Sequence, residues 1–373
     1  MTPTTSTLLA PTGLREASEA LSEQGGTVEI RGAGTATGWA DPPRPATTVL
    51  DTRGLTGIVA YNPADMTVAV GAGTPLRDLA AELAAHGQRV AFDPARAARG
   101  ATVGGLVATA DAGPLSLTYG SLRDLVIGAT VVLADGTIAR TGGHVIKNVA
   151  GYDLAKLLHG SYGVFGLLAE VVLRLHPLPS ATRTVGVECP ASRAGELATP
   201  VLCGPVEPVA LEWCDGMLLI RLEGTAEGTA TRARHLAAEL GGSVLDDDAA
   251  DAAWARHAAL VTGASVRLGV RPSRLGGVVN ECGVGETAAL GLGTGVATVD
   301  IDSGAEAVDR LHDVVTAAGG TSVVRRPVPG ARVWNRPPSA VRTLRALKDE
   351  LDPLRRLCPG RLGTWLDDVE EAP

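Results

Sequence analysis

The stretch TVEIRGAGTATGWADPPRPATTVLD, residues 27–51, constrains the fold more than any other part of the chain. A short strand-forming run leads straight into the glycine loop Arg31–Gly38, and prolines 42, 43 and 45 follow where a helix would have to continue. The dinucleotide-binding fingerprint needs a strand, then GxGxxG, then a helix whose N-terminus meets the pyrophosphate. Proline lacks the backbone donor and breaks a helix, so this loop is not that fingerprint. The later loop GAGTPL at Gly71 does precede a helix, but Leu76 stands where the third glycine belongs and Pro75 removes an amide. No GxxxxGK[ST] occurs, which argues against a P-loop. What remains is a cradle. The amides of Gly32, Ala33, Gly34 and Thr35 can curl around an anion. A second set of donors is expected from ATVGG, where Thr102 caps a helix and Gly104-Gly105 let backbone approach a ligand. Either loop alone also reads as an ordinary turn.

A third glycine-rich stretch, GGHVIKNVAGYDLAKLLHGSYGVFG, occupies residues 142–166. It holds two of the four tyrosines and one of the two phenylalanines of a chain with 47 glycines. Average glycine usage is ~7%, so many backbone positions here approach something closely or adopt unusual dihedrals. The net charge of −8 argues against a nucleic-acid backbone as partner. The five cysteines are scattered with no CxxC, which suits reduced thiols and neither a cluster nor a zinc site. Neither a signal peptide nor a transmembrane run is expected. The expected location is the cytoplasm, with any membrane association through partners.

Element signals divide the 373 residues in two near residue 180. A helix over Thr12–Gln24, capped by Thr12, precedes the first strand. Strand TVAV at Thr67 meets a helix capped by Thr74. LVIGATVVLADGTIAR reads as a hairpin turning at Asp135-Gly136. In LLAEVVLRLHP, Leu167, Ala169, Val171, Leu173 and Leu175 share one face. The second half interleaves the strands TVGVEC, PVALEW, MLLIRLEG, ATVDID and TSVVRR with helices near 226–240 and 305–318, an α+β pattern. DDDAAD at Asp246 reads as a solvated loop or helix start. An amphipathic helix ending at Asp352-Pro353 closes the chain.

RGAGTATG, VGAGTPLRDLAAEL, DPARAARGATVGGLVAT, YGSLRDLVIGATVVLADG and KNVAGYDLAKLLHGSYGVFGLLAEVVLRLHP together resemble the FAD-binding (PCMH-type) domain of the vanillyl-alcohol oxidase-like flavoproteins, in the family's order over about residues 10–180. LEWCDGMLLIRLEG and LKDELDPLRRLCPGRL extend the resemblance toward the smaller flavin subunits of glycolate oxidases. The resemblance implies an α+β fold. A two-subdomain FAD domain over 1–180 is followed by a smaller α+β cap over 181–340, and residues 341–373 return to the FAD domain. It implies a pyrophosphate loop of Gly32, Ala33, Gly34 and Thr35. A second loop contains Pro94, Thr102, Gly104 and Gly105, with Thr109 close by. Tyr119, Gly120, Asn148, Gly163, Gly166, Leu167 and Leu168 lie against the cofactor. Some members attach FAD through a histidine in the first loop. Thr35 stands there, so non-covalent FAD is expected.

The resemblance further implies an oxidoreductase that takes a small 2-hydroxy acid to a 2-oxo acid by hydride transfer to flavin N5. The expected partners are a larger flavoprotein and an iron–sulfur subunit. Two departures matter: GPLSLTYG lacks the basic residues common before the YG motif, and no HGxG-like motif occurs in the cap. A flavin-bearing scaffold or electron-transfer subunit therefore stays open, as does a reductase of the MurB type using NADPH. Candidates for chemistry are Lys147, beside reduced flavin or phosphate, and His144 or His159 as proton acceptor. Arg267, with Arg271, is a candidate carboxylate fork. Each has a plain alternative: an exposed lysine, a helix-end histidine, a structural arginine. Asp153 is expected to cap the helix that begins near Leu154, with a buried hydrogen bond from Tyr152 or Asp153 as the other reading. Trp213, Trp254 and Trp334 are expected in the cap core.

Overall fold

A computed structural model describes residues 6–145, 152–284 and 287–366. In the first half, β1 (Thr7–Leu9), β2 (Val28–Arg31) and β3 (Thr48–Asp51) make a parallel sheet in the order β1-β3-β2. Next come β4 (Ile58–Asn62), β5 (Thr67–Gly71), β6 (Gln88–Arg89), β7 (Val126–Val132), β8 (Ile138–Gly142), β9 (Leu167–Arg174) and β10 (His176–Pro177). Five of these form an antiparallel sheet, β4-β5-β9-β7-β8, while β6 pairs with β10.

The β7–β8 hairpin turns as expected, with Gly136 at φ +88° in the turn. Strand β9 does more than alternate. Its register against β7 slips beside Ala169, which faces no partner there. A bulge reverses the facing of the residues beyond it. Leu167 and Ala169 therefore enter a core with Leu21, Val28 and Leu50. Leu168, Val171 and Leu173 enter a different core with Leu79, Leu106 and Leu125. One strand thus serves both layers of the first half.

Three expected caps are not made. The helix Leu14–Glu23 has Gly13 at its N-cap, and Thr12 instead donates through its amide and hydroxyl to Glu16. Pro75 takes the N-cap of helix Leu76–Ala84, because the Thr74 hydroxyl accepts from the amide of Gly57 at 2.9 Å. Asp153 caps nothing. It lies 3.6 Å from the Lys156 ammonium, outside the short helix Ala155–Leu158, and Tyr152 is 92% exposed, so neither makes a buried hydrogen bond.

The second half contains β11 (Ala181–Glu188), β12 (Ala210–Cys214), β13 (Met217–Gly224), β14 (Ser243–Val244), β15 (Val266–Gly269), β16 (Ala288–Gly291), β17 (Val296–Val299) and β18 (Thr321–Val324). They form one antiparallel sheet, β14-β11-β13-β12-β16-β17-β15-β18. Helices Ala191–Cys203, Ala226–Leu240, Pro272–Cys282 and Ala305–Ala317 give buried residues to the core on one face. Helix Asp247–Gly263 covers Cys214, Leu219 and Ala289 on the other. The acidic run opens that helix, with Asp246 accepting from the Ala249 amide at 2.8 Å. Trp213 is in the core and Trp254 packs on the second-half cluster of Cys214, Leu219 and Ala289, whereas Trp334 is only partly buried and donates to Asp41 of the first half.

After helix Val341–Leu351 the chain crosses back to the first half. Leu357 bridges Val28 in parallel, and the Val28 amide donates to the Arg356 carbonyl at 2.8 Å. The two halves also meet directly. Arg89 forks onto Glu223, Arg221 lies 2.9 Å from Asp93, and the Ala40 amide donates to the Val324 carbonyl.

Candidate functional site: a glycine cleft with a buried arginine

A cleft opens where the two sheets of the first half meet. It is walled by the Gly32–Thr37 loop, Thr102–Thr109, Ser161–Gly166 and the returning residues Cys358 and Arg361. Of the residues expected to hold a cofactor, Gly32, Ala33, Gly34, Thr35, Thr102, Gly104, Gly105, Thr109, Gly163, Gly166 and Leu168 line it. The first loop is built to face an anion. Gly34 has φ +71°, and among the described residues the amides of Ala33, Gly34 and Thr35 donate to no protein acceptor. A side chain at Gly32 would come within 2.6 Å of the Thr102 hydroxyl, so only glycine lets the walls approach this closely.

The second set of amides is not available. Val103 donates to the Thr74 carbonyl at 2.9 Å, Gly104 to the Ala72 carbonyl at 2.7 Å, and Gly105 to the Thr102 hydroxyl at 3.2 Å. The tight seam against Ala72 consumes them, and a Cβ on Gly104 would stand 2.9 Å from the Ala72 carbonyl. Arg96 supplies the donor instead. This guanidinium is 3% exposed and donates to the Thr35 hydroxyl at 2.8 Å and to the Thr109 hydroxyl at 2.7 Å. Its Nε donates to Asp111 at 2.9 Å. Three free amides on one wall and a buried guanidinium on the other suit a diphosphate.

Tyr162 and Arg361 also line the cleft. Tyr162 sits at φ +51°, a left-handed conformation that costs a non-glycine residue about 1 kcal/mol or more. Burial raises the affinity of its hydroxyl for the proton, against the pull of Arg325, Arg361, Arg267 and Arg96. Arg361 donates to the carbonyls of Thr37 at 2.8 Å and Asp41 at 3.0 Å, bracing the first loop from the C-terminal segment.

Other expected residues lie elsewhere. Tyr119 is drawn to the joint between the halves, where its hydroxyl donates to Glu223 at 3.0 Å. Gly120 ends that turn at φ +78° and packs on Asp124. Leu167 is sealed in a core by the β9 bulge. Pro94 and Arg267 line a separate cavity. His144 bonds the Thr67 hydroxyl at 2.8 Å, at the far end of β5 from Gly71, and does not line the cleft. His159 also stays outside the lining; its Nε2 is buried with no partner among the described residues. Lys147 and Asn148 lie outside the described residues.

Residues 11–142 match the protein family described as FAD binding domain. The chain carries a PCMH-type FAD-binding domain. It is 39% identical over 194 residues to glycolate oxidase subunit GlcE of Escherichia coli K12, covering 52% of this chain and 55% of that protein. It is 31% identical over 224 residues to glycolate oxidase subunit GlcD of Bacillus subtilis 168, covering 59% and 47%. It is 34% identical over 189 residues to a D-lactate dehydrogenase of Archaeoglobus fulgidus, covering 50% and 42%. The matches thus span about half the length of these curated relatives. In fold, the chain superposes on an alkyldihydroxyacetonephosphate synthase with a TM-score of 0.68 at 16% identity, covering 94% of this chain and 75% of that one. That likeness shows a shared mixed α+β fold. Among the described residues, no helix is long and apolar enough to cross a membrane.

Proposed function

We propose that the chain is the FAD-bearing smaller subunit of a glycolate oxidase-like complex, oxidising a small 2-hydroxy acid to the 2-oxo acid. The observation that carries this reading is the free Ala33–Thr35 amides facing the buried Arg96 guanidinium, within a domain whose relatives include glycolate oxidase subunits and a D-lactate dehydrogenase. FAD, when bound, supplies the two-electron acceptor that the side chains lack. The protein's part is to hold and enclose. The first-loop amides and Arg96 take the diphosphate charge. Gly163 and Gly166 bring bare backbone to the cleft, and the Arg361 clamp keeps the first loop against it. The first loop, Arg31–Gly38, contains neither histidine nor cysteine for attachment, which supports a cofactor held without a covalent bond. Electrons leave through partners, a larger flavoprotein and an iron–sulfur subunit, in a cytoplasmic assembly.

The test is the visible spectrum of the purified chain reconstituted with FAD. A yellow protein that bleaches when glycolate or D-lactate is added supports turnover by this chain. Bleaching only once a partner subunit is present assigns it the role of flavin carrier within the complex. A preparation that takes up no FAD overturns the reading.

A further inference from the structure

A second cavity, of about 370 Å³, lies between residues 93–116 and the eight-stranded sheet, outside the cleft. Arg221, Arg267 and Arg325 line it, with Asp93, Glu212 and His257. We propose that this cavity binds the carboxylate of a small organic anion, with Arg267 and Arg325 as the recognising groups. The proposal rests on the function proposed for the chain for the identity of that anion, a 2-hydroxy acid.

Charge and unmet donors single out these two arginines. Glu212 has His257 as its neighbour, with Nε2 3.1 Å away. Arg221 is matched by Asp93 at 2.9 Å and stacks 3.9 Å over the Trp254 ring. That leaves Arg267 and Arg325. Among the described residues Arg267 donates to one neutral partner, the Ala110 carbonyl, at 2.8 Å. Arg325 is 6% exposed and reaches Asp111 at 3.1 Å, but Asp111 is already held by Arg96 at 2.9 Å. The Arg325 Nε is buried and has no acceptor among the described residues. Three guanidiniums thus converge on one carboxylate, and burial lowers Arg325 to about 9 despite Asp111 beside it. A buried cation without its counter-charge is costly. A carboxylate in the cavity supplies that charge, and a guanidinium meets it with two parallel hydrogen bonds.

Cavity and cleft are linked through neighbouring arginines. Arg96, which lines the cleft, and Arg325, which lines the cavity, both pack on the Trp39 ring, at 4.1 and 3.6 Å from its centre. Asp111 joins both arginines. A carboxylate held by Arg325 is therefore held next to the cofactor cleft, where a 2-hydroxy acid has to be. A cavity of this size suits a small ligand held by few polar groups.

Calorimetric titration of the FAD-loaded chain with glycolate tests the proposal, with ethylene glycol as the probe that lacks a carboxylate. Saturable one-to-one binding of glycolate and none of ethylene glycol is expected. Arg267→Gln is expected to weaken glycolate at least tenfold with FAD content unchanged. Ala258→Glu, on a helix that lines the same cavity, adds a competing carboxylate to the cavity without altering the arginines, and should likewise suppress binding. Glycolate binding no better than ethylene glycol, or wild-type affinity in both variants, overturns the site. Bleaching by glycolate with affinity unchanged in the variants removes the site and keeps the proposed function. Arginine-dependent binding with no bleaching, alone or with partners, keeps the site and removes the function.

Discussion

Arg96 is the residue on which the two walls of the cleft converge, because it bonds the Thr35 and Thr109 hydroxyls at once. Replacing it with glutamine removes a charge-assisted contact worth about 1.5–3 kcal/mol. Arg96→Gln should therefore weaken FAD about 10–100-fold by fluorescence quenching, and leave riboflavin, which has no diphosphate, nearly unaffected. Asp111 keeps Arg325 in that variant, so its fold should survive. Equal loss for both ligands would remove Arg96 from diphosphate recognition. His159 gives a pH signature. Burial, then the nearby charges of Arg123 and Arg267, push it down to about 4. The folded chain thus holds it neutral, while the unfolded chain protonates it near pH 6.5. Stability is full above that value and is lost as pH falls from about 6.5 through about 4, by up to about 3 kcal/mol. His159→Gln should flatten that part of a denaturation-versus-pH curve. Neither role could be read locally. Arg96 sits among alanines in PARAARG and gains meaning only when Thr35, 61 positions earlier, folds against it.

At the scale of elements, the glycine loops and strands were legible because their chemistry is local. Thr102 caps its helix as the spacing predicts, and β2 runs straight into the loop. The β9 bulge was not legible, since alternation alone cannot show that Ala169 faces no partner and hands the strand from one core to another. Strands VRLG and AALG, four residues each, were missed because such short runs carry little pattern; their pairing partners lie far along the chain or across a tight turn. The closing helix shows how a long-range element is fixed. The Lys348 ammonium is buried, lies 2.6 Å from Asp352, and donates to the carbonyls of Val164 and Leu357. It joins the returning segment to the turn that leads into Gly166. Asp352→Asn leaves that cation without its counter-charge and should cost about 3–5 kcal/mol. Chemical denaturation measures the loss, and FAD affinity should fall with it because Cys358 and Arg361 reach the cleft through this segment.

At the scale of the molecule, the halves are joined by polar contacts rather than by one shared core. Arg89 forks onto Glu223, with Tyr119 donating to the same carboxylate; Arg221 meets Asp93; Trp334 donates to Asp41 at 3.0 Å; Arg267 and Arg325 reach Ala110 and Asp111. Every one of these contacts pairs a residue before 180 with one after 200, so none could be found from spacing, and Tyr119, expected against the cofactor, also gives its hydroxyl to this joint. A joint of this kind couples the halves only while its charges are matched. The Glu223 side chain is 7% exposed and that of Arg89 15%. In Glu223→Gln the guanidinium stays in the joint with no carboxylate, at an expected cost of about 3 kcal/mol. The hydrophobic cores of the two halves do not include Glu223, so each half keeps its own packing. Calorimetry should therefore show the single unfolding transition of the parent broaden or split in Glu223→Gln. Bound FAD should raise the temperature of the component from the first half more than that of the other, because all the cleft residues lie in the first half and in the segment that returns to it. A variant that melts as one transition at the parent temperature would show that the joint holds without this ion pair.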